Sequence, residues 1–389
     1  MLIAPPFMLT TGPVPAYPSV RQALGGPLVY DGNPVFQAFY AGLVDKLGHV
    51  MRLTNKPVIL QGDALLGLEA AAASLIGPYD PVLTLASGVY GQGFGVWSKR
   101  YGAEVLELTV PFDEAIAPEL LSARLQARPD IRVVTVCHHD TPSGTLNPVA
   151  EIGRIVRAHG AYLIVDAVSS FGGMDVHPEA VFADIFVASA AKCLGAPPGL
   201  TLLGVSERAW AKIKANPTAP RQSFLSLLDW EQAWRPDRPF PVTPSLADIN
   251  ALDAALDRHL AEGAEAVWAR HAATAVAARA GLKALGLALW PKSEAIAAPT
   301  ATVFRVPEGI VDTALRERVL NTFGVLLSLG RGATAGRVLR IAHMGVTAQP
   351  LLAIAAVTAI GAALRSLGRV VDVGAGVEAA LAALEHRQT

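Results

Sequence analysis

The stretch from Ala161 to Gly199 constrains the fold of this chain more than any other part of the sequence. It opens with an apolar, β-branched run, Tyr162 to Val165, that ends in one acid, Asp166. A second apolar run, Ile185 to Val187, leads through small residues to one amine, Lys192. In an open α/β sheet, ligands bind beyond the carboxyl ends of the strands. We therefore expect Asp166 and Lys192 to face the same ligand from neighbouring strand ends.

An acid and a lysine in this arrangement suit a pyridine-ring aldehyde. The lysine forms a Schiff base with the aldehyde, and the acid keeps the ring nitrogen protonated so that the ring accepts electrons. The alternative is a surface lysine and a capping aspartate with no shared ligand. The paired spacing and the small residues that follow Lys192, in the sequence GAPPG, favour the ligand site.

Composition limits the classes of function. The chain has 389 residues, 52% of them hydrophobic, which is long enough for two domains. Its net charge of -1 gives no electrostatic case for binding to nucleic acid or to an anionic membrane. Two cysteines, Cys137 and Cys193, do not make a disulfide framework, so we expect a reducing, cytoplasmic setting. The N-terminal sequence is a poor signal peptide, and no apolar run approaches the roughly 20 residues of a membrane helix.

Alternating strand and helix patterns predict an α/β fold with a mostly parallel, doubly wound sheet. The run Leu200 to Val205 is expected to return antiparallel. We predict an N-terminal arm over residues 1–20, a large α/β domain over 21–244 and a smaller α+β domain over 245–389, with a Pro- and Trp-rich segment at the boundary. A helix is predicted to begin near Phe94, after the sequence SGVYGQG, and another to run from about Ser245 to Leu285, with room for breaks.

Two further strand ends carry candidate residues. Tyr90 could stack on a flat heterocycle, which adds about 0.5–1.5 kcal/mol beyond burial, or it could pack under a glycine turn. His138 and His139 invite a metal interpretation, but adjacent strand residues point to opposite faces, so we expect no metal site. Thr141 is expected to donate a hydrogen bond to a ring substituent such as a phenolate oxygen.

Two arginines lie in the predicted small domain. Arg331 follows a Leu-Gly pair, and Arg340 lies within the apolar strand sequence VLRIAHMG. A buried arginine needs an anionic partner, for which a bidentate carboxylate is the natural choice. The alternative for Arg340 is an intramolecular salt bridge.

The segments DAVSS, AKCLGAPPG, SGVYG and VLRIAHMG resemble those of class V aminotransferases, which are fold type I pyridoxal phosphate enzymes of the alanine–glyoxylate aminotransferase kind. The resemblance covers essentially the whole chain. It implies a homodimer or homotetramer with sites at the subunit interface. It also assigns roles: Lys192 as Schiff-base lysine and proton shuttle, Asp166 at the pyridine nitrogen, Tyr90 and Val168 on the two ring faces, Thr141 at the ring hydroxyl, and Arg340 at the amino-acid carboxylate.

One turn departs from the family pattern. Where relatives have a small Gly/Ser-rich cup for the cofactor phosphate, this chain has Gln61-Gly62-Asp63-Ala64. A carboxylate about 4 Å from a phosphate is repelled by ~4 kcal/mol per pair of unit charges at the dielectric of a protein surface. Asp63 would instead accept a hydrogen bond from a hydroxymethyl group. We therefore expect pyridoxal or pyridoxamine without phosphate.

The stretches NKPVILQGDALLGLEAAAASL and HGAYLIVDAVSSFGGM more closely resemble family members that take free pyridoxamine and pyruvate as substrates. Those members carry the longer Glu at this turn, so Asp63 would make a weaker contact or one through water. The resemblance implies formation of pyridoxal and L-alanine in vitamin B6 degradation, with no tightly bound cofactor. Arg331 would pair with an acid or a substrate carboxylate there. The alternatives are a pyridoxal-phosphate-dependent alanine–glyoxylate or serine–pyruvate aminotransferase, and a non-enzymatic vitamin-binding protein.

Overall fold

The computed structural model describes residues 5–101 and 104–385. The first four residues of the predicted arm and the last four of the predicted small domain therefore lie outside the described residues. The strands are β1 Phe7–Leu9, β2 Val58–Gln61, β3 Val82–Ala86, β4 Val105–Thr109, β5 Val133–Cys137, β6 His139–Asp140, β7 Thr145–Leu146, β8 Tyr162–Asp166, β9 Ile185–Ser189, β10 Leu200–Val205, β11 Ala301–Arg305, β12 Val325–Leu329 and β13 Val338–Ala342.

The helices alternate with the strands as far as residue 215 and then dominate the chain. They are α1 Pro18–Ala23, α2 Pro34–Met51, α3 Ala64–Leu75, α4 Val89–Arg100, α5 Pro118–Ala127, α6 Val149–His159, α7 Glu207–Ala215, α8 Leu227–Trp230, α9 Leu246–Glu262, α10 Ala264–Ala284, α11 Asp312–Phe323, α12 Pro350–Ser366 and α13 Val373–Glu385.

A seven-stranded sheet with the order β2-β10-β9-β8-β5-β3-β4 forms the centre of the fold. Strands β4, β3, β5, β8 and β9 are parallel, and β10 runs antiparallel to both β9 and β2. Strands β3, β5 and β9 are buried along their whole length because apolar clusters cover both faces of the sheet. The predicted α/β class, the parallel sheet and the antiparallel return of β10 are confirmed.

A second sheet has four strands in the order β1-β12-β13-β11. Its three C-terminal strands pair antiparallel, while β1 of the N-terminal segment pairs parallel with β12. An apolar cluster joins this sheet to α10, α11 and α12. The N-terminal arm thus adds an edge strand to the C-terminal sheet. The predicted boundaries at residues 20 and 244 stay predictions.

One helix prediction differs from the structure. Helix α4 begins at Val89, not near Phe94, because the buried Asp140 carboxylate accepts hydrogen bonds from the first N–H groups of the helix. The segment from Ser245 to Leu285, predicted as a helix with room for breaks, is broken at Gly263, with φ +86°, into α9 and α10. No helix within the described ranges is long and apolar enough to cross a membrane.

Candidate active site

A cavity of about 650 Å³ opens at the carboxyl ends of the parallel strands. Six of the predicted site residues line it: Asp63, Tyr90, Asp166, Val168, Lys192 and Arg331. The other lining residues include Gly12, Pro13, Leu65, Val96 and Trp97. Thr141 and Arg340 are not among the lining residues.

Asp166 is the last residue of β8 and lies level with Val187 of β9 in the sheet register. Its Oδ1 accepts a hydrogen bond from Val168 N at 2.9 Å. Burial raises the pKa of its carboxyl to about 6, hydrogen bonds from Val168 and Cys137 act in the opposite direction, and the nearby charge of Asp140 adds to the rise. A cationic ring nitrogen beside Asp166 would favour the ionised form of its carboxyl group.

Lys192 follows β9 in a tight turn, in which Gly195 N donates to Lys192 O at 3.0 Å and Gly195 has φ +72°. Its Nζ donates to the backbone oxygen of Thr11 at 2.5 Å. Burial lowers the pKa of the amine, and the charge of Arg340 lowers it further, whereas the acids Asp166 and Asp63 oppose the shift. The site thus favours a neutral, nucleophilic amine more than water does.

Tyr90 is placed by a residue that the sequence reading missed. Asp140 is 1% exposed, and its Oδ2 accepts from Tyr90 N at 2.7 Å and from Gly91 N at 3.4 Å. A Cβ at Gly88 would lie 2.1 Å from Asp140 Cγ, so only glycine leaves space for this approach. Burial raises the pKa of Asp140, and its hydrogen bonds from the α4 backbone oppose the rise. The signal in the sequence was an acid three residues after the apolar run that ends at Cys137, and one residue before Thr141.

Asp63 is the N-cap of α3, and its Oδ1 accepts from Leu65 N at 3.0 Å. Other groups of this turn also form hydrogen bonds. Gly62 N donates to Gly199 O, and Thr201 Oγ1 donates to the carbonyls of Gly62 and Asp63. A phosphate at this helix N-terminus would meet a carboxylate already in the cap position. The turn therefore does not fit the phosphate of pyridoxal phosphate.

The two predicted arginines lie at the C-terminal sheet, Arg340 within β13 and Arg331 two residues after the end of β12. Arg340 is 8% exposed, its Nε donates to Leu329 O at 2.9 Å, and burial lowers the pKa of its guanidinium. Arg331 donates to Tyr90 Oη at 3.4 Å. Among the described residues neither arginine forms an ion pair, so the intramolecular salt bridge considered for Arg340 is absent there.

The remaining candidates lie deeper. Thr141 is buried, and its contact with a ring hydroxyl stays a prediction. His138 pairs with Ser170 through Nδ1 at 2.9 Å, whereas His139 pairs with Thr300 at 2.7 Å. Burial lowers their pKa values to about 4 and about 3. No group of three or more potential metal-ligating side chains was found in the part of the chain that the structure describes.

The N-terminal segment also reaches the site, which the sequence reading did not anticipate. Thr11 supplies the acceptor of Lys192, and Gly12 and Pro13 line the cavity. Trp97, one helical turn after Gly93 on α4, lines the same cavity. The turn-forming sequence TTGPVP marked a change of direction, but nothing in it indicated a contact with a lysine that lies 181 positions further along.

The chain matches a protein family and several known proteins over most of its length. The family model for aminotransferase class-V matches residues 68–366. The chain is 60% identical over 381 residues to the pyridoxamine–pyruvate transaminase of Mesorhizobium japonicum, covering 98% of this chain and 97% of that protein. It is 29% identical over 351 residues to the alanine–glyoxylate aminotransferase of Drosophila melanogaster, covering 88% of this chain and 89% of that one.

Solved structures agree with these relatives. The crystal structure of pyridoxamine-pyruvate aminotransferase from Mesorhizobium loti superposes with a TM-score of 0.98 at 59% identity, over 99% of this chain and 98% of that one. The ureidoglycine-glyoxylate aminotransferase of Bacillus subtilis superposes with a TM-score of 0.93 at 28% identity, over 99% of both chains.

Proposed function

The chain belongs to the class V aminotransferase family, and from that premise we propose that it transfers the amino group of unphosphorylated pyridoxamine to pyruvate, giving pyridoxal and L-alanine. This is the reaction that the printed name of the relative at 60% identity describes. We also propose that the reaction belongs to vitamin B6 degradation and takes place in the cytoplasm. The free thiols of Cys137 and Cys193 support the cytoplasmic setting, which is reducing.

The observation that carries the choice of substrate is the carboxylate of Asp63 at the N-terminus of α3. Other family members are pyridoxal phosphate enzymes, and in such proteins a helix N-terminus of this kind is a natural phosphate site. Here Asp63 caps the helix through Oδ1, which leaves Oδ2 able to accept from a hydroxymethyl group. The vitamin would thus enter and leave as substrate and product, with no tightly bound cofactor.

The strand ends orient the ring of the vitamin. Asp166 would accept a hydrogen bond from the protonated pyridine nitrogen, which stabilises negative charge that develops on the ring side. Tyr90 and Val168 would cover the two ring faces, and Thr141 would donate to the ring hydroxyl. Each of these roles follows from position at the cavity or, for Thr141, from the family resemblance alone.

The arginines and the lysine complete the chemistry. Arg340, with Arg331 nearer to the opening, would bind the carboxylate of pyruvate and bring its keto carbon to the amine of pyridoxamine. Water leaves as the two substrates join. Lys192, as a neutral amine, takes a proton from the C4′ carbon of the vitamin and delivers it to Cα of the amino acid. Return of the water releases alanine and pyridoxal, so the reaction balances without another reagent.

We also propose a homo-oligomer, a dimer or a tetramer, with the cavity at the subunit interface. Two large apolar side chains at the cavity, Leu65 and Val96, are 52% and 63% exposed in the single chain. Exposed apolar groups beside a binding cavity are typical of a surface that a partner covers.

The experiment that tests the function compares free and phosphorylated vitamin. Purified protein is dialysed, its absorbance spectrum is recorded, and pyridoxal and alanine are measured after addition of pyridoxamine and pyruvate. We expect a colourless protein that turns over the unphosphorylated pair. A protein that keeps yellow pyridoxal phosphate through dialysis and ignores free pyridoxamine would assign it instead to the alanine–glyoxylate or serine–pyruvate enzymes.

A matched pair of variants isolates the carboxylate. Asp63→Ser keeps a good N-cap but removes the charge, and we expect it to raise the KM for pyridoxamine and to admit pyridoxal phosphate, since about 4 kcal/mol of repulsion per charge pair is removed. Asp312→Ser, in the first turn of α11, is the control and should change neither property. Unchanged discrimination in Asp63→Ser would contradict the role of Asp63.

A further inference from the structure

The amine of Lys192 has a neighbour from the opposite end of the chain. Nζ donates to the Thr11 carbonyl at 2.5 Å, and a Cβ built on Gly12 would lie 2.4 Å from Nζ and 3.1 Å from Cε. The backbone of this peptide and the tip of the lysine therefore share one small space. Gly12 has φ +147°, a conformation that residues with a side chain rarely adopt.

The C-terminal sheet holds this peptide in place. Ser328 Oγ, on β12, accepts from Thr11 N at 3.0 Å and from Thr11 Oγ1 at 3.4 Å. Just before it, β1 pairs in register with β12, from Phe7 with Val325 to Leu9 with Leu327. Ser328 itself pairs with Arg340 across the sheet. The strand pair that carries the arginine thus also fixes the acceptor of the lysine.

We propose that the Thr11–Gly12 peptide positions the amine of Lys192, with the Thr11 carbonyl holding one N–H and the bare Cα of Gly12 leaving the space that Nζ fills. The inference rests on the proposed function, since it concerns the proton transfer that Lys192 performs. An amine that donates one N–H to a fixed carbonyl has its lone pair in a defined direction. Thr11 and Gly12 act through Lys192 and are positioning residues.

Two variants test the proposal. Gly12→Ala places a methyl group where Nζ lies, and because Nζ is the free end of a flexible side chain, we expect the amine to move while the fold persists. A displacement of about 1 Å lowers kcat by about 10²-fold. Ser328→Ala removes the acceptor that holds Thr11 and should lower kcat by about tenfold, since the carbonyl is less firmly placed.

Each variant has a matched control. Gly309→Ala also puts a side chain at positive φ, +82°, but apart from its chain neighbours no atom of the described residues lies within 4 Å of the added Cβ. Ser366→Ala removes a hydroxyl whose hydrogen bond to Ala363 O lies at the end of α12. Both controls should match the wild type in kcat.

Two readouts separate positioning from a general loss of structure. With C4′-dideuterated pyridoxamine, Gly12→Ala and Ser328→Ala should show a larger isotope effect on kcat than the wild type, with an unchanged KM for pyruvate. Labelling of Lys192 by free pyridoxal and borohydride, followed by peptide mass spectrometry, should be slower in Gly12→Ala than in Gly309→Ala.

The proposal is overturned if Gly12→Ala labels and turns over like Gly309→Ala, or if Ser328→Ala matches Ser366→Ala. Should Gly12→Ala not fold, the serine pair decides alone. If the wild type fails to convert free pyridoxamine and pyruvate, the proposed function fails, whereas the labelling comparison still tests how Lys192 is positioned.

Discussion

At the scale of single residues, the site depends on acids whose burial shifts their protonation. Burial raises the pKa of Asp166 to about 6, so the carboxyl of the free protein gains a proton as the pH falls through this value. A protonated Asp166 cannot serve as the anionic partner of a pyridinium. An ordinary aspartate, with a pKa of about 3.9, would still be ionised at pH values near 6.

We therefore expect kcat/KM for pyridoxamine to fall about tenfold per pH unit below about 6, as one group is protonated. The corresponding limb of kcat should lie at lower pH, because the bound pyridinium favours the ionised carboxylate. Asp166→Asn should have a low kcat/KM and lack this limb. Initial rates from pH 4.5 to 8 check the prediction, and a limb that persists unchanged in Asp166→Asn would contradict it.

At the scale of elements, helix α4 begins at Val89 because of a side chain from another element, the carboxylate of Asp140 in β6. Asp140 satisfies N–H groups at the first turn of the helix and thereby sets where Tyr90 enters the cavity. Glycines at 91, 93 and 95 weaken the intrinsic helix propensity of this segment. A buried carboxylate at the N-terminus offsets that weakness because it both accepts hydrogen bonds and complements the helix dipole.

Asp140→Ala should lower the free energy of unfolding by about 1–3 kcal/mol, since buried N–H groups lose their acceptor, and should raise the KM for pyridoxamine through displacement of Tyr90. Asp140→Asn keeps an acceptor oxygen and should recover most of both losses.

Without the Asp140 charge, the pKa of Asp166 falls, so the acid limb of kcat/KM moves to lower pH in both variants. Urea unfolding and pH profiles check these effects. Equal losses in Ala and Asn variants would show that charge, not hydrogen bonding, is what α4 requires.

At the scale of the whole molecule, the cavity is built from distant parts of the chain. The arm, the parallel sheet and the C-terminal sheet each supply lining residues, through Gly12, Lys192 and Arg331. The exposed apolar side chains beside the opening, Leu65 and Val96, are the basis for the proposed subunit interface.

We expect Val96→Asp to give a smaller species in light scattering after size exclusion and to lose turnover, because burying an unpaired charge in a subunit interface is costly. Val370→Asp, at a fully exposed position between α12 and α13, is the control and should keep both size and activity. An oligomer of unchanged size in Val96→Asp would place the interface elsewhere.

The sequence by itself determined the alternation of elements and the two residues at the centre of the site. The runs that end in Asp166 and lead to Lys192 could be assigned because buried parallel strands are continuous apolar stretches, and the first charged residue after them must lie at the sheet edge. Strand β10 has the bounds of the apolar run that predicted it, Leu200–Val205. Asp63 was recognisable as a departure because it replaces small residues in a turn with a known shape.

Only the tertiary structure decided which distant groups meet. The contact of Thr11 with Lys192, the capping of α4 by Asp140 and the hydrogen bond from Arg331 to Tyr90 all depend on how the two sheets pack together. Local sequence carries periodicity and turn chemistry over a few residues, but it does not carry distances between segments that are far apart along the chain. Those distances are set by the packing of the whole core, and the chemistry of this site depends on them.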